Sequence, residues 1–302
     1  MASGSKKVII AALIGNALIS ITKFAAASIT GSAAMMSEGI HSVVDTGNQI
    51  LLLYGLKRAQ KPPSEAFPFG HGKEIYFWSF VVAILIFAVG AGISVYEGIN
   101  HIMDPSELHD PTINYIVLVL AMLFEGGALF FAVTEFNKVR GPLGYIEAVK
   151  RGKDPSMFVV LFEDSAAMLG LFIAFLGIMM AQITQNPVWD GAASILIGGI
   201  LACTAAWLAY ETKSLLIGEG ANPKIVASIK AYAIGYDEIE NVNEVLTLYM
   251  GPDFLLVTMS IEFKDGLPTG QIENTINALT KDIKKEHNFI KKVFIEAEDN
   301  SQ

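Results

Sequence analysis

The stretch Glu38-Gly39-Ile40-His41-Ser42-Val43-Val44-Asp45-Thr46-Gly47-Asn48 decides how this chain folds. It sets two carboxylates, an imidazole and an amide inside a segment otherwise apolar enough to cross a membrane. His41 and Asp45 are four residues apart. On an α-helix that spacing places both side chains on one face, one turn apart, where a ring nitrogen and a carboxylate can hold one cation together. An ionisable residue at membrane depth is costly unless paired or hydrated, so such residues read as functional.

The surrounding composition supports the membrane reading. Of 302 residues, 52% are hydrophobic and 17% charged, with a mean hydropathy of +0.47. Apolar runs occupy 8–27, 32–56, 75–99, 112–135, 156–183 and 188–212. Each is long enough to cross about 30 Å of hydrocarbon, which takes roughly 20 residues. Six transmembrane helices are therefore expected over 1–218. The first run continues past signal-peptide length and is followed by further spans, so a retained N-terminus is expected.

Basic residues orient the spans. Lys6 and Lys7 precede the first; Lys57, Arg58, Lys61 and Lys73 lie between the second and third; Lys138, Arg140, Lys150, Arg151 and Lys153 lie between the fourth and fifth. The alternate connections carry none, which predicts cytoplasmic N- and C-termini. The net charge of −9 argues against nucleic-acid binding. Cys203 is the single cysteine, expected to pack within the sixth span, and it excludes an internal disulfide framework.

Depth along the helices relates the buried polar residues. Lys23 lies about 25 Å from Lys7, and Glu38 about 28 Å from Lys57, at roughly 1.5 Å per residue. They share a depth near the outer surface, which predicts an ion pair or a shared outer vestibule, or else a lysine that snorkels to the headgroups. Asp45 lies about 18 Å from Lys57 and Asp164 about 16 Å from Lys153 on the same scale, both near the bilayer centre. Two carboxylates and a histidine at one depth need a cation between them, since otherwise the carboxylates repel or take up protons. Glu125, in Phe124-Glu125-Gly126 of the fourth span, is proton-coupled, paired across helices or kept neutral; the residues alone do not choose. His71, between two glycines in the loop before the third span, either ligates a metal or orders its own turn.

After Gly218 the composition changes. Residues 219–302 hold fourteen acidic and eight basic side chains in 84, the signature of a soluble and here cytoplasmic domain. Pro223 to Ala233 and Thr269 to His287 read as helices, while Val242 to Tyr249, Phe254 to Phe263 and Ile290 to Ala297 read as strands. The α-β-β-α-β order predicts a small ferredoxin-like α+β layer. A domain this small gains most by pairing with a copy of itself, so a homodimer is expected.

With these residues in view, the chain resembles the cation diffusion facilitator family of divalent-metal transporters, in the branch of the mitochondrial-type zinc transporter nine. The resemblance rests on Gly31-Ser32-Ala33-Ala34, His41-Ser42-Val43-Val44-Asp45, Phe69-Gly70-His71-Gly72-Lys73-Glu74, Asp164 with Gly170, Trp189-Asp190 and Gly251-Pro252-Asp253, in that order along essentially the whole chain. It implies a homodimer that exports a cytoplasmic divalent cation, foremost Zn²⁺, in exchange for protons, by alternating access through a tetrahedral site shared by the second and fifth helices. Carried over, the ligands are His41, Asp45 and Asp164. The fourth family position, a histidine one turn before Asp164, is Val160 here, and valine cannot ligate. Glu163, Asn48 or water are the candidates to complete the set. An oxygen-rich site with one imidazole suits Zn²⁺, Mn²⁺, Fe²⁺ or Co²⁺ and disfavours Cu⁺.

The tail offers Thr258, Ser260, Glu296 and Glu298 with His287 as its one histidine, so weak or no metal binding is expected there. No tightly bound cofactor is expected, the metal being cargo. A membrane sensor or scaffold that kept the fold and lost transport is the rival reading. An intramembrane hydrolase is disfavoured, since no His-Glu-x-x-His helix occurs. The expected host is a bacterial inner membrane.

Overall fold

The structure, a computed structural model, describes residues 2–105 and 111–299. It divides into two compact units, Met1–Arg58 with Ile75–Lys213, and Ala59–Glu74 with Ser214–Gln302.

The first unit is helical: α1 (Ala2–Thr30), α2 (Ala33–Ala59), α3 (Glu74–Leu85), a π-helical stretch (Ile86–Ala91), α4 (Gly92–Met103), α5 (Thr112–Arg140), α6 (Tyr145–Arg151), α7 (Pro155–Thr184) and α8 (Val188–Ile217). Among the described residues five helices are long and apolar enough to cross a membrane: Ala12–Thr30, the run Glu74–Met103, α5, α7 and α8. The remaining expected span, α2, has 27 residues, about 40 Å at 1.5 Å each. Its difference is polarity. Glu38, His41, Ser42, Asp45, Asn48 and Gln49 recur at three- and four-residue spacing and are all buried, while Val43 and Ile50 on the opposite side are exposed. This inverts the usual amphipathic helix, with the polar stripe facing protein and the apolar face outward.

Helices α1, α5 and α7 pack on one another. Local chemistry sets their ends. The α1–α2 reversal takes two residues because Gly31 adopts φ 69°, the left-handed region open to glycine. Ser32 Oγ then accepts from Met35 N at 3.2 Å, capping α2. At α7, Asp154 accepts from Ser156 N at 3.2 Å and Pro155 occupies the first turn, where its missing N–H leaves no bond unmade. Cys203, expected to pack, is exposed instead on α8; as a small apolar side chain it suits an outward-facing position as well as a buried one.

In the second unit, α9 (Pro223–Ile234), β1 (Ile239–Gly251), β2 (Phe254–Phe263), α10 (Thr269–Glu286) and β3 (Ile290–Ala297) follow the expected α-β-β-α-β order. The sheet runs β1-β2-β3, with β1 and β2 antiparallel and β2 and β3 parallel. Alternate residues of β2, Leu255, Val257, Met259 and Ile261, are buried, as period-2 alternation requires. Ile229 and Ala233 of α9 and Leu279 and Ile283 of α10 close the core at i, i+4 spacing. The loop Ala59–Glu74 belongs to this unit; its His71 ring packs 4.4 Å from Phe67, centroid to centroid, with Nδ1 3.7 Å from Glu74 Oε1.

Candidate metal centre

The inward stripe of α2 meets charged residues from three other helices. His41 Nε2 and Asp45 Oδ2 stand 3.3 Å apart, as their spacing on one helix face predicts. They are close but not aligned as a hydrogen bond, and both ring nitrogens and Asp45 Oδ1 have no hydrogen-bond partner. On α7, Glu163 and Asp164 are adjacent and both buried, and the charges of both act on Asp45. All four side chains belong to residues at most 2% exposed.

Asn48 and Glu163, the two side chains considered for the missing fourth position, bond each other. Asn48 Nδ2 donates to Glu163 Oε1 at 2.8 Å, joining α2 to α7. Asn48 Oδ1, Glu163 Oε2 and Asp164 Oδ2 carry no hydrogen bond. Val160, one turn before Asp164, is fully buried. Among the described residues, no three His, Cys, Asp or Glu side chains converge closely enough in this conformation to hold an ion. The donor set is nonetheless suited to one: an imidazole with two free nitrogens and unpartnered carboxylate oxygens on facing helices.

Above this cluster Lys23 of α1 donates to Glu38 Oε2 at 3.0 Å and to Ser42 Oγ at 2.8 Å. Lys23 and Glu38 are both fully buried. Of the sequence expectations for Lys23, the ion pair holds and the snorkelling lysine does not. Glu38 in turn lies against Gly170 of α7, where a β-carbon would overlap its Oε1. Lys23 lies close enough for its charge to act on His41 and Asp45 as well.

Sequence reasoning did not foresee how α2 is anchored. Asp190, from the first turn of α8, accepts from Ser32 Oγ at 2.8 Å and from Ala33 N at 2.6 Å, with Ala34 N at 3.4 Å. A carboxylate from another helix therefore takes the orphan N–H groups at the start of α2. His101 Nε2 of α4 lies 3.7 Å from the same carboxylate. One turn further in, Ser37 of α2 hydrogen-bonds Ser194 of α8, which donates to the Ser94 carbonyl of α4 at 2.8 Å. Trp189-Asp190 and Gly31-Ser32-Ala33-Ala34 stood out as motifs of the resemblance, but nothing in the sequence joined them. The helix bearing His41 and Asp45 is thus fixed at its N-terminal end to α8 and, through Ser194, to α4.

An integral membrane protein with a polar, cation-suited cluster buried between its helices is the class that this architecture defines. Residues 9–217 match the cation efflux transmembrane domain, and the chain belongs to that family. Among curated proteins, it is 32% identical over 263 residues to the mitochondrial proton-coupled zinc antiporter SLC30A9 of Xenopus laevis, covering 86% of this chain and 47% of the relative. The human antiporter of that name is 32% identical over 250 residues, 82% of this chain and 44% of the relative. The manganese efflux system protein MneP of Bacillus subtilis (strain 168) is 21% identical over 300 residues, 96% of this chain and 95% of that protein. The chain spans under half the length of the antiporters.

Proposed function

We infer that this protein is a secondary transporter that moves a divalent cation, foremost Zn²⁺, out of the cytoplasm in exchange for protons. The observation that carries the reading is the buried His41–Asp45 pair on α2 facing Glu163 and Asp164 of α7, in a chain of the cation efflux family. His41, Asp45 and Asp164 bind the ion, with Asn48 and Glu163 beside them. In this reading α2 is the sixth membrane crossing, residues 1–218 form the transport domain, and residues 219–302 form a cytoplasmic, ferredoxin-like dimerisation domain. Both termini are cytoplasmic, in keeping with the basic loops, and the host is a bacterial inner membrane. The protein performs no covalent chemistry on its cargo.

The exchange follows from competition at one site. A neutral imidazole ligates a metal and an imidazolium does not, so a proton arriving at His41 from the more acidic side expels the ion, and an arriving ion releases the proton. Asp45 and Asp164 supply the charge that draws the cation into a low-dielectric interior. A helix whose polar stripe already faces protein can change partners on either side of the bilayer without exposing that stripe to lipid.

Manganese as cargo is the second reading. It is favoured by Val160 in place of an imidazole, which leaves the donor set rich in oxygen, and by the similarity to a manganese efflux protein. Uptake of Zn²⁺ and Mn²⁺ into proteoliposomes under an imposed pH gradient, wild type beside His41→Asn, tests the mechanism. Loss of uptake, or uptake no longer tied to proton flow, is expected of the variant; full proton-coupled transport by His41→Asn contradicts it.

A further inference from the structure

Glu125 lies in the middle of α5, preceded by Leu123 and Phe124, which face outward at 68% and 59% exposure. Its own residue is 1% exposed, and neither carboxylate oxygen has a hydrogen-bond partner. A buried carboxylate without donors is costly, and folds retain such groups where a ligand supplies what the protein does not. The side chain lies on the face of α5 that is buried against neighbouring helices, α1 and α7 being the ones α5 packs on. Its charge acts on Asp45 of α2 and on Asp164 of α7, and the charges of Lys23 and Glu38 act on it in turn.

The neighbours do not satisfy it. Lys23 is engaged by Glu38 and Ser42. Asn48 and Glu163 are joined to each other. At the α7 position where an imidazole would complete the centre, Val160 offers only methyl groups. Helix α5 packs against both α1 and α7, so a side chain on its inner face reaches the space those helices enclose.

We propose that Glu125 is a further metal-contacting residue of the transport site, supplying from α5 a carboxylate oxygen that completes the set His41, Asp45 and Asp164. The assignment rests on the transport reading above. It makes the site one imidazole and three carboxylates, a set that suits Mn²⁺ and Fe²⁺ as well as Zn²⁺. It also draws the centre from three helices, so that binding an ion pulls α5 toward α2 and α7.

The test compares wild type, Glu125→Gln, Glu125→Asp and Asp45→Asn in proteoliposomes, with KM and maximal rate measured separately for Mn²⁺ and Zn²⁺. Binding of each metal to the purified full chain is measured by calorimetry. Glu125→Gln conserves volume and removes no hydrogen bond, and its elution profile is checked against wild type before transport is measured. It is expected to raise KM for Mn²⁺ about tenfold or more, to raise that for Zn²⁺ less because the imidazole remains, and to weaken Mn²⁺ binding in calorimetry in parallel. Glu125→Asp is expected to fall between. Unchanged constants for both metals, or equal losses for both, overturn the assignment. If Asp45→Asn is inactive while Glu125→Gln is wild type, Glu125 alone is excluded. If Asp45→Asn transports like wild type, the transport site itself falls and this assignment with it.

Discussion

Lys23 Nζ stands 3.0 Å from Glu38 Oε2, with both side chains wholly withdrawn from solvent. Removing one member of a buried pair leaves an uncompensated charge, at a cost of about 3–5 kcal/mol. Lys23→Glu and Glu38→Lys are each expected to lower the thermal midpoint of the detergent-purified protein and abolish metal uptake. The double exchange is expected to recover part of both. Independent tolerance of each reversal would show that the pair does nothing in the membrane.

Gly170 gives Glu38 its room. A β-carbon there overlaps Glu38 Oε1, so Gly170→Ala is expected to push the carboxylate off Lys23 and mimic loss of the pair. The comparison is with Gly126→Ala, where an added β-carbon meets nothing within 4 Å. Thermal denaturation of the two variants side by side distinguishes them: a drop for Gly170→Ala and little change for Gly126→Ala.

Asp190 caps α2 from another helix. Loss of an N-cap acceptor typically costs about 0.5–2 kcal/mol. Asp190→Ala is expected to speed hydrogen exchange at the Ala33 and Ala34 amides while leaving the α7 cap at Asp154 unaffected. Unaltered exchange at those two amides would mean that Ser32 caps the helix alone.

Val160→His places an imidazole one turn before Asp164. The ratio of Zn²⁺ to Mn²⁺ uptake is expected to rise at least about tenfold, since imidazole suits zinc better than manganese. Metal-competition transport reads the ratio directly, and an unchanged ratio would place residue 160 away from the ion.

The parts of this arrangement that one helix determines were legible in the sequence. His41 and Asp45 meet because four residues make one turn, and the Lys23–Glu38 pair followed from rise per residue measured from the basic ends. The fold of the second unit was readable because its strands alternate and its helices repeat at three and four. What escaped depends on contacts between distant segments. Asp190 caps Ala33 across 157 residues, and no local pattern distinguishes it from any acidic residue in a first turn. The Asn48–Glu163 bond was hidden because each was weighed separately as a candidate ligand, and no local pattern pairs side chains on two different helices. Glu125 stood out as a carboxylate in an apolar helix, but its neighbours are set by packing. The apolar-run criterion also treated α2 like the other spans, although its stripe of buried polar residues requires protein along one side.

Proton-coupled uptake by the ligand variants tests the central claim most directly. Zn²⁺ entry and lumenal pH are recorded together in proteoliposomes carrying wild type, Asp45→Asn or Asp164→Asn. Wild type is expected to load metal and move protons the other way, with each variant losing most of both because a charged ligand is gone. Wild-type metal entry by either variant, or entry by wild type that ignores the pH gradient, would contradict the account.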